Sequence, residues 1–501
     1  MKSMYRRGVQ LNAPTDIKQY AMKQRVYQYL CAVVCALMLC VPPISAQEIN
    51  EDDLFSSDTV QDETAPPAEQ PDAAPKSPDL NSSEEDIFSS GESVSTVEES
   101  TDDSLATIMD QESISFSGEL TAKFGASLLR DYLDGDADFE ENPYWTSVEG
   151  DFLLDLRWKK GIKAFGDLWL SYSPLLNGTN ANENAPPGET AEEPEEFDTI
   201  LKELFVDVNI AKKVYFRFGK QALKWGRCYF WNPTDLLSED RKSFTDMNAR
   251  LEGEYGLKMH VPFGTTVNMY GFGKFSNADN LSEIAAAGKV EWLLPADIEI
   301  GLSAWDKKDY HPMFGFDVAM YKLHISWRGE MSLIKGDNRT YLEQNDAGEW
   351  EESKNDKDEW VARFALGATK TFDYGNYNDR ISVTVETYHD PNGYDTDMFE
   401  DNAVRQLFLA GDYYLPNYYG QWYMAIFGSV AKFLVGDMTL NLDLISNLTD
   451  SSWLLKPGIS YEIASNAMLQ FDITGHFGEE NREYTFGGQA VDLEARLNLI
   501  F

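Results

Sequence analysis

Basic charge is scarce in this chain: 42 Lys and Arg stand against 84 Asp and Glu in 501 residues, a formal net charge of −42. A protein this acidic lacks the basic patch that a phosphate backbone requires, so no nucleic-acid partner is expected. Long apolar runs are missing too. Past the N-terminal region no stretch approaches the ~18 apolar residues of a spanning helix, which excludes a helical membrane bundle. Cysteine is nearly absent: of four, Cys31, Cys35 and Cys40 fall inside one N-terminal apolar run, leaving Cys228 alone thereafter. One leftover thiol makes neither an intrachain disulfide nor a zinc site. The five histidines, His260, His311, His324, His389 and His476, sit in no motif with a serine or with metal-ligand spacing. No catalytic group, metal or cofactor is therefore expected, and the chain reads as a non-enzyme.

What is present divides into three parts. Residues 1–46 carry six bases and one acid around the apolar run at 30–41, with Lys23 and Arg25 before it and Ile44-Ser45-Ala46 after it. That is a secretory signal peptide cleaved after Ala46, and Met22 opens a compact version of it as an alternative start. Cleavage for lipid attachment at Cys40 is disfavoured by the bulk of Leu39. Residues 47–112 hold one base and twenty acids with few aromatics, a composition that cannot bury enough surface to offset the entropy of ordering. This segment is expected to be disordered in the periplasm. Within it Glu51-Asp52-Asp53-Leu54-Phe55-Ser56-Ser57 recurs as Glu84-Glu85-Asp86-Ile87-Phe88-Ser89-Ser90. Acids followed by an aliphatic–Phe pair suit a docking peptide for a periplasmic partner, though drift in a biased sequence produces the same pattern.

From Ser113 the pattern changes. Ile114, Phe116, Leu120, Ala122, Phe124, Ala126 and Leu128 alternate with Ser115, Ser117, Glu119, Thr121, Lys123 and Ser127. A period of two is a strand with one apolar face, here long enough to be a tilted membrane strand. The alternation recurs near 146–158, 161–173, 200–210, 213–224, 251–261, 265–275, 284–293, 297–305, 312–320, 323–335, 359–372, 380–389, 421–433, 438–446, 452–463, 467–477 and 489–501. This predicts an all-β, antiparallel up-and-down transmembrane barrel over 113–501, of about eighteen strands, or sixteen without the pair at 312–335, where Tyr321-Lys322 is a poor turn. Short connections alternate with long ones at roughly 130–145, 174–199, 225–250, 336–358, 390–420 and 478–488. Short turns on one rim and long loops on the other are the layout of an outer-membrane barrel. The 13% aromatic content fits girdles at two membrane interfaces.

The end of the chain, with Leu493, Leu497, Leu499 and the terminal Phe501 on one face, resembles the C-terminal signal read by the barrel-assembly machinery. A second resemblance lies at Gly219-Lys220-Gln221, Trp225-Gly226 and Asn232-Pro233-Thr234-Asp235. Porin-like outer-membrane proteins carry such a strand with G-[RK]-Q, then W-G, then N-P-x-D in the following loop. The resemblance implies a bacterial outer-membrane porin in contact with lipid, with a homo-trimer as the common assembly. It also implies that the third long loop folds inward to narrow the pore. Arg227, Asp235, Glu239, Asp240, Arg241 and Lys242 would then meet Arg217, Lys220 and Gln221 at a constriction of mixed charge. Gly219, Trp225, Gly226, Asn232 and Pro233 would be its structural frame. Inward acids such as Asp207, Asp317, Glu330 and Glu386 outnumber inward bases, so a mild cation preference is expected. The rival is a non-conducting barrel whose loop 390–420, with Tyr394, Tyr413, Tyr414, Tyr418 and Tyr419, binds a surface as an adhesin.

Overall fold

The computed structural model describes residues 112–501 apart from 131–143, 159–160, 176–196, 239–240, 248, 277, 279–282, 346–347, 355–358, 376, 396–397 and 412. The signal peptide, the repeated acidic motif and Glu239 and Asp240 lie outside the described residues.

Eighteen strands form one antiparallel sheet among the described residues. They are β1 (Ser113–Leu129), β2 (Tyr144–Trp158), β3 (Ile162–Leu175), β4 (Phe197–Ile210), β5 (Val214–Gln221), β6 (Glu254–Phe263), β7 (Val267–Lys274), β8 (Ala285–Leu294), β9 (Ile298–Asp306), β10 (Met313–Lys322), β11 (Ile325–Lys335), β14 (Trp360–Tyr374), β15 (Tyr377–His389), β16 (Trp422–Val430), β17 (Met438–Asn447), β18 (Ser452–Ala464), β19 (Ala467–Phe477) and β20 (Gln489–Ile500). Each pairs with the next, and β20 returns to β1 with Leu120 opposite Leu499 and Leu128 opposite Val491. Phe501 and Gly118 exchange both main-chain hydrogen bonds at 3.0 Å. The ring is therefore closed, which removes the unpaired edge that hydrocarbon cannot satisfy.

Alternation sorts the side chains. Leu154, Leu204, Phe218, Leu257, Leu302, Phe316, Leu366, Leu442, Phe471 and Leu499 are exposed on the outside. A belt of large apolar side chains around a closed wall is far more than a water-soluble surface carries, and lipid is the solvent that suits it. Aromatic side chains border the belt at both rims. Trp158, Phe263, Tyr321, Tyr374 and Tyr461 lie at one, and Tyr144, Tyr172, Phe197, Tyr255, Trp360 and Trp422 at the other, all exposed. On the inner face Asp167, Arg217, Glu254, Lys274, Lys289, Asp317, Glu330, Glu386, Lys456, Asp472 and Arg496 are buried.

The connections keep their expected asymmetry. Nine connections leave the strands at one rim: L1 (130–143) and L2 (176–196), which lie almost wholly outside the described residues, and L3 (222–253), L4 (275–284), L5 (307–312), L6 (336–359), L7 (390–421), L8 (448–451) and L9 (478–488). The opposite rim has tight turns. Ala211-Lys212, Ala296-Asp297 and Leu323-His324 take positive φ at both positions. That conformation matches the twist of paired strands and ordinarily selects Gly or Asn. The last pair corrects the expected turn at Tyr321-Lys322: β10 runs on through both residues, and the reversal falls two positions later. Barrel register outweighs local turn propensity there. Two further elements inside the loops were not expected. L6 contains a hairpin of β12 (Thr340–Gln344) and β13 (Trp350–Lys354), and L7 contains α1 (Asn402–Ala410). The Asp401 carboxylate caps α1 by accepting from Ala403 N at 2.8 Å and Val404 N at 3.3 Å.

Candidate functional site: the loop inside the barrel

L3 begins where β5 ends, and β5 is bent to start it. Gly219 has φ +132°, and a Cβ there would collide with the Leu204 carbonyl of β4. Only glycine permits both the backbone angle and the approach. Past Gln221 the chain turns into the lumen. Trp225 is buried with Leu223, Leu237 and Phe272, and its carbonyl accepts from Lys289 of β8. Gly226 leaves room for the Asn232 side chain to lie against it. Asn232-Pro233-Thr234-Asp235 is a β-turn, with Asp235 N donating to Asn232 O at 3.0 Å. Proline at its second position pre-sets the angle. The W-G and N-P-x-D residues thus shape the loop.

The loop is tied to opposite parts of the wall in different ways. Between 227 and 234 its main-chain N–H groups converge on two wall carboxylates. Glu386 of β15 accepts from Tyr229 N at 2.7 Å, Phe230 N at 3.0 Å and Trp231 N at 2.6 Å. Glu330 of β11 accepts from Arg227 N, from Cys228 N at 2.6 Å, and from Thr234 N and Oγ1 at 3.2 and 2.7 Å. The Arg227 guanidinium meets Asp317, Glu299 and Glu291 on β10, β9 and β8. At Thr245 and Asp246 the polarity reverses, and the wall supplies cations. Lys456 and Arg496 donate to Thr245 O, Lys123 and Arg496 pair with Asp246 at 3.2 and 3.1 Å, and Arg250 meets Asp167 at 3.4 Å.

Two expected constriction residues sit elsewhere. Lys220 is opposite Leu204 and Tyr255, whose side chains are exposed on the outer face. Strand alternation puts Lys220 on that same face, where it pairs with Glu252 beside the Tyr255 ring. It is not a lumen residue. Arg217 does face inward, but it bonds Asp207 of the neighbouring strand at 2.8 and 2.9 Å and stacks over Phe205 at 3.7 Å. Arg227 is held by a different stretch of wall, so the charges do not gather around Arg217 in one cluster. Gln221 is fully buried, with its amide near the carbonyls of Arg217 and Gly256. Asp235 is buried in the loop turn near Ser238 N at 3.4 Å, and Arg241 donates to Ser238 O. Lys242 donates to Tyr229 O at 2.6 Å, joining the two arms of the loop.

Sequence reasoning missed the inward bases Lys202, Lys274, Lys289, Lys456 and Arg496. Lys202 was concealed by a β-bulge, where the register shifts between Asp167 and Leu168 and sends Lys202 inward to Asp151 at 3.0 Å. The others were legible as polar positions of alternating strands.

L3 also reaches the loops above it. Trp231 is fully buried against Tyr388 and Tyr423, and its indole N–H donates to Asn417 O of L7 at 3.0 Å. Asn417 N donates to Glu483 of L9 at 2.8 Å. Nearby, Leu342 of β12, Met398, Phe399, Phe408 of α1 and Tyr419 form one apolar cluster with Tyr394, Tyr413, Tyr414 and Phe486 packed on it. Tyr418 is buried beside Tyr388. The L7 tyrosines therefore hold L6, L7 and L9 together.

No protein-family model matches the chain, and no curated protein matches its sequence. Among solved structures it is similar to Acinetobacter baumannii OccAB1 at 11% identity and TM-score 0.47, covering 77% of this chain and 96% of that one. It is likewise similar to a BenF-like porin from Pseudomonas fluorescens Pf-5 at 9% and 0.47, covering 78% and 99%. Pseudomonas aeruginosa OprD matches at 9% and 0.45, covering 78% and 97%. The barrel itself rests on the closed strand register of this chain.

Proposed function

We propose that this protein is a bacterial outer-membrane channel for small hydrophilic solutes, with L3 as its constriction. The observation that carries the reading is a loop of mixed charge stretched across the polar interior of a barrel whose exterior is apolar. Eighteen strands enclose a bore too wide for wall side chains to fill, and L3 is what narrows it. Opposed charges across such a narrowing orient and filter polar solutes. The terminal strand ending at Phe501 is proposed to be the segment the assembly machinery reads. We read the chain as a non-enzyme.

A mild preference for cations follows from the acidic excess of the wall. It is weakened by the inward lysines and by the commitment of Glu330 and Glu386 to loop amides. Reversal potentials across a salt gradient decide it, and clear anion selectivity would sink it. One observation favours a second reading, a non-conducting barrel acting as a surface-interaction protein: L3 touches the wall on many sides, and L6, L7 and L9 pack together over it. Single-channel recording of the refolded protein in a planar bilayer separates the two. Discrete steps support the channel, whereas insertion shown by heat-modifiable migration without any conductance supports the closed barrel.

A further inference from the structure

The interior of this barrel contains two carboxylates that do not face an open lumen. Glu330 and Glu386 are almost wholly buried, and between them they accept from the main-chain N–H groups of Arg227, Cys228, Tyr229, Phe230, Trp231 and Thr234. Consecutive amides of an irregular segment have no partners of their own, and buried amides are nearly always satisfied. Here the acceptors are carboxylate oxygens, and a hydrogen bond to an ionised carboxylate is stronger than a neutral one. The wall between the two acids is cut back to admit the loop. Ala365 of β14 lies opposite Glu330, Gly367 lies opposite Glu386, and Ala425 of β16 flanks Glu386 on its other side. A Cβ at Gly367 would stand 3.2 Å from the Glu386 carboxylate. Cys228 fits into this recess with its Sγ 3.9 Å from the Ala365 carbonyl.

We infer that Glu330 and Glu386 are the positioning residues of the constriction: they hold L3 across the lumen by its backbone and so set the aperture. The inference deepens the channel reading and depends on it only for the consequence in current. The grip is chiefly on main-chain amides, with the Thr234 hydroxyl added, so it does not depend on the charge of the side chains it holds. Arg227 adds a side-chain tie to Asp317, Glu299 and Glu291, and the return arm is tied separately by Lys123, Lys456 and Arg496. Loss of the two glutamates therefore loosens 228–234, while Arg227 and the return arm stay tied.

Cys228 reports on that arm directly, because its side chain is 0% exposed. The full chain and the Glu330→Ala/Glu386→Ala variant are refolded, checked for heat-modifiable migration, and treated with a membrane-impermeant maleimide. Labelling at Cys228 is then read by peptide mapping. The variant is expected to label at least about tenfold faster than the parent, the equivalent of losing one charge-assisted hydrogen bond, and to show larger, noisier current steps. A folded variant in which Cys228 stays as protected as in the parent overturns the inference. Should the double variant not fold, Glu330→Ala and Glu386→Ala are tested singly, and parental protection in both overturns it equally. Faster labelling with no conductance in either parent or variant leaves the anchor established and removes the channel reading.

Discussion

The two arms of L3 are fastened to the barrel by opposite chemistry. The first arm, at 227–234, offers amide donors, and the wall answers with carboxylates. The return arm, 241–250, offers the Thr245 carbonyl and the Asp246 carboxylate, and the wall answers with Lys123, Lys456 and Arg496. The difference lies in what release costs. Freeing the first arm orphans a row of buried N–H groups together with two buried acids. Freeing the second arm separates side chains that keep other partners, such as Glu149 for Lys123 and Glu494 for Arg496. The first arm is the fixed side of L3, and the return arm is the adjustable side.

The largest break in this comparison is expected at Trp231, which lies within the fixed arm. Trp231→Ala removes a fully buried indole and its bond to Asn417, a loss of about 3–5 kcal/mol. Protease nicking within L3 and current noise should both rise sharply, and parental resistance to nicking would show that this arm is anchored without the tryptophan. Asp246→Asn acts on the adjustable arm and should cost less, about 1–3 kcal/mol, because both wall cations retain partners. Its clearer signature is electrical: with one lumen anion gone, the reversal potential should move towards anions. No movement would place Asp246 off the ion path.

A third test concerns the loops above L3 and depends on pH. Burial first, and Asp450 next, push the Glu483 carboxyl up to about 8. A carboxyl raised above its unfolded value of ~4.3 holds its proton in the folded state through a range where the unfolded chain has lost it. Its contribution to stability is therefore full below that unfolded value and declines as pH rises towards 8. Hydrogen exchange across 478–488, corrected for intrinsic rates, should show protection falling over this window, and Glu483→Gln should flatten the dependence. A parent with constant protection would contradict the assignment. The Asp337 carboxyl in L6 shifts the other way. Burial opposes its charge, but Arg339 and Arg363 outweigh burial and hold it well below the usual range, so its cluster should survive into acid that protonates ordinary carboxylates. The smallest effect is expected at Lys220. Lys220→Met should leave conductance and selectivity unchanged, because the buried side chain pairs with Glu252 on the outer face and not in the lumen. A shift in selectivity would return it to the pore.

The fold was legible because its signal is repetitive. Each strand alternates independently, so an error of two residues at the turn Leu323-His324 did not disturb the rest. The candidate site was legible only in outline. Trp225, Gly226, Asn232 and Pro233 announced a shaped loop, but nothing local to 225–234 names Glu330 or Glu386, about a hundred and a hundred and fifty residues away. Counting both glutamates as lumen charge was the natural reading of alternation, which reports the face a residue occupies and not what comes to cover it. Lys220 was misplaced for the opposite reason: motif membership was given more weight than the alternation that puts its neighbours outside.

By itself, then, the sequence determined the barrel: its strands to within one pair, their inner and outer faces, the closing strand at Phe501, and the rim that carries the long loops. These follow from a period of two and from turn lengths, which are local properties of the chain. Only the tertiary structure decided where L3 goes once inside, which carboxylates grip it, that Lys202 turns inward at a bulge, and that the tyrosines of L7 bind loops to one another. Those outcomes depend on groups distant in sequence finding one another's unmet hydrogen-bonding capacity, and no local pattern encodes that pairing.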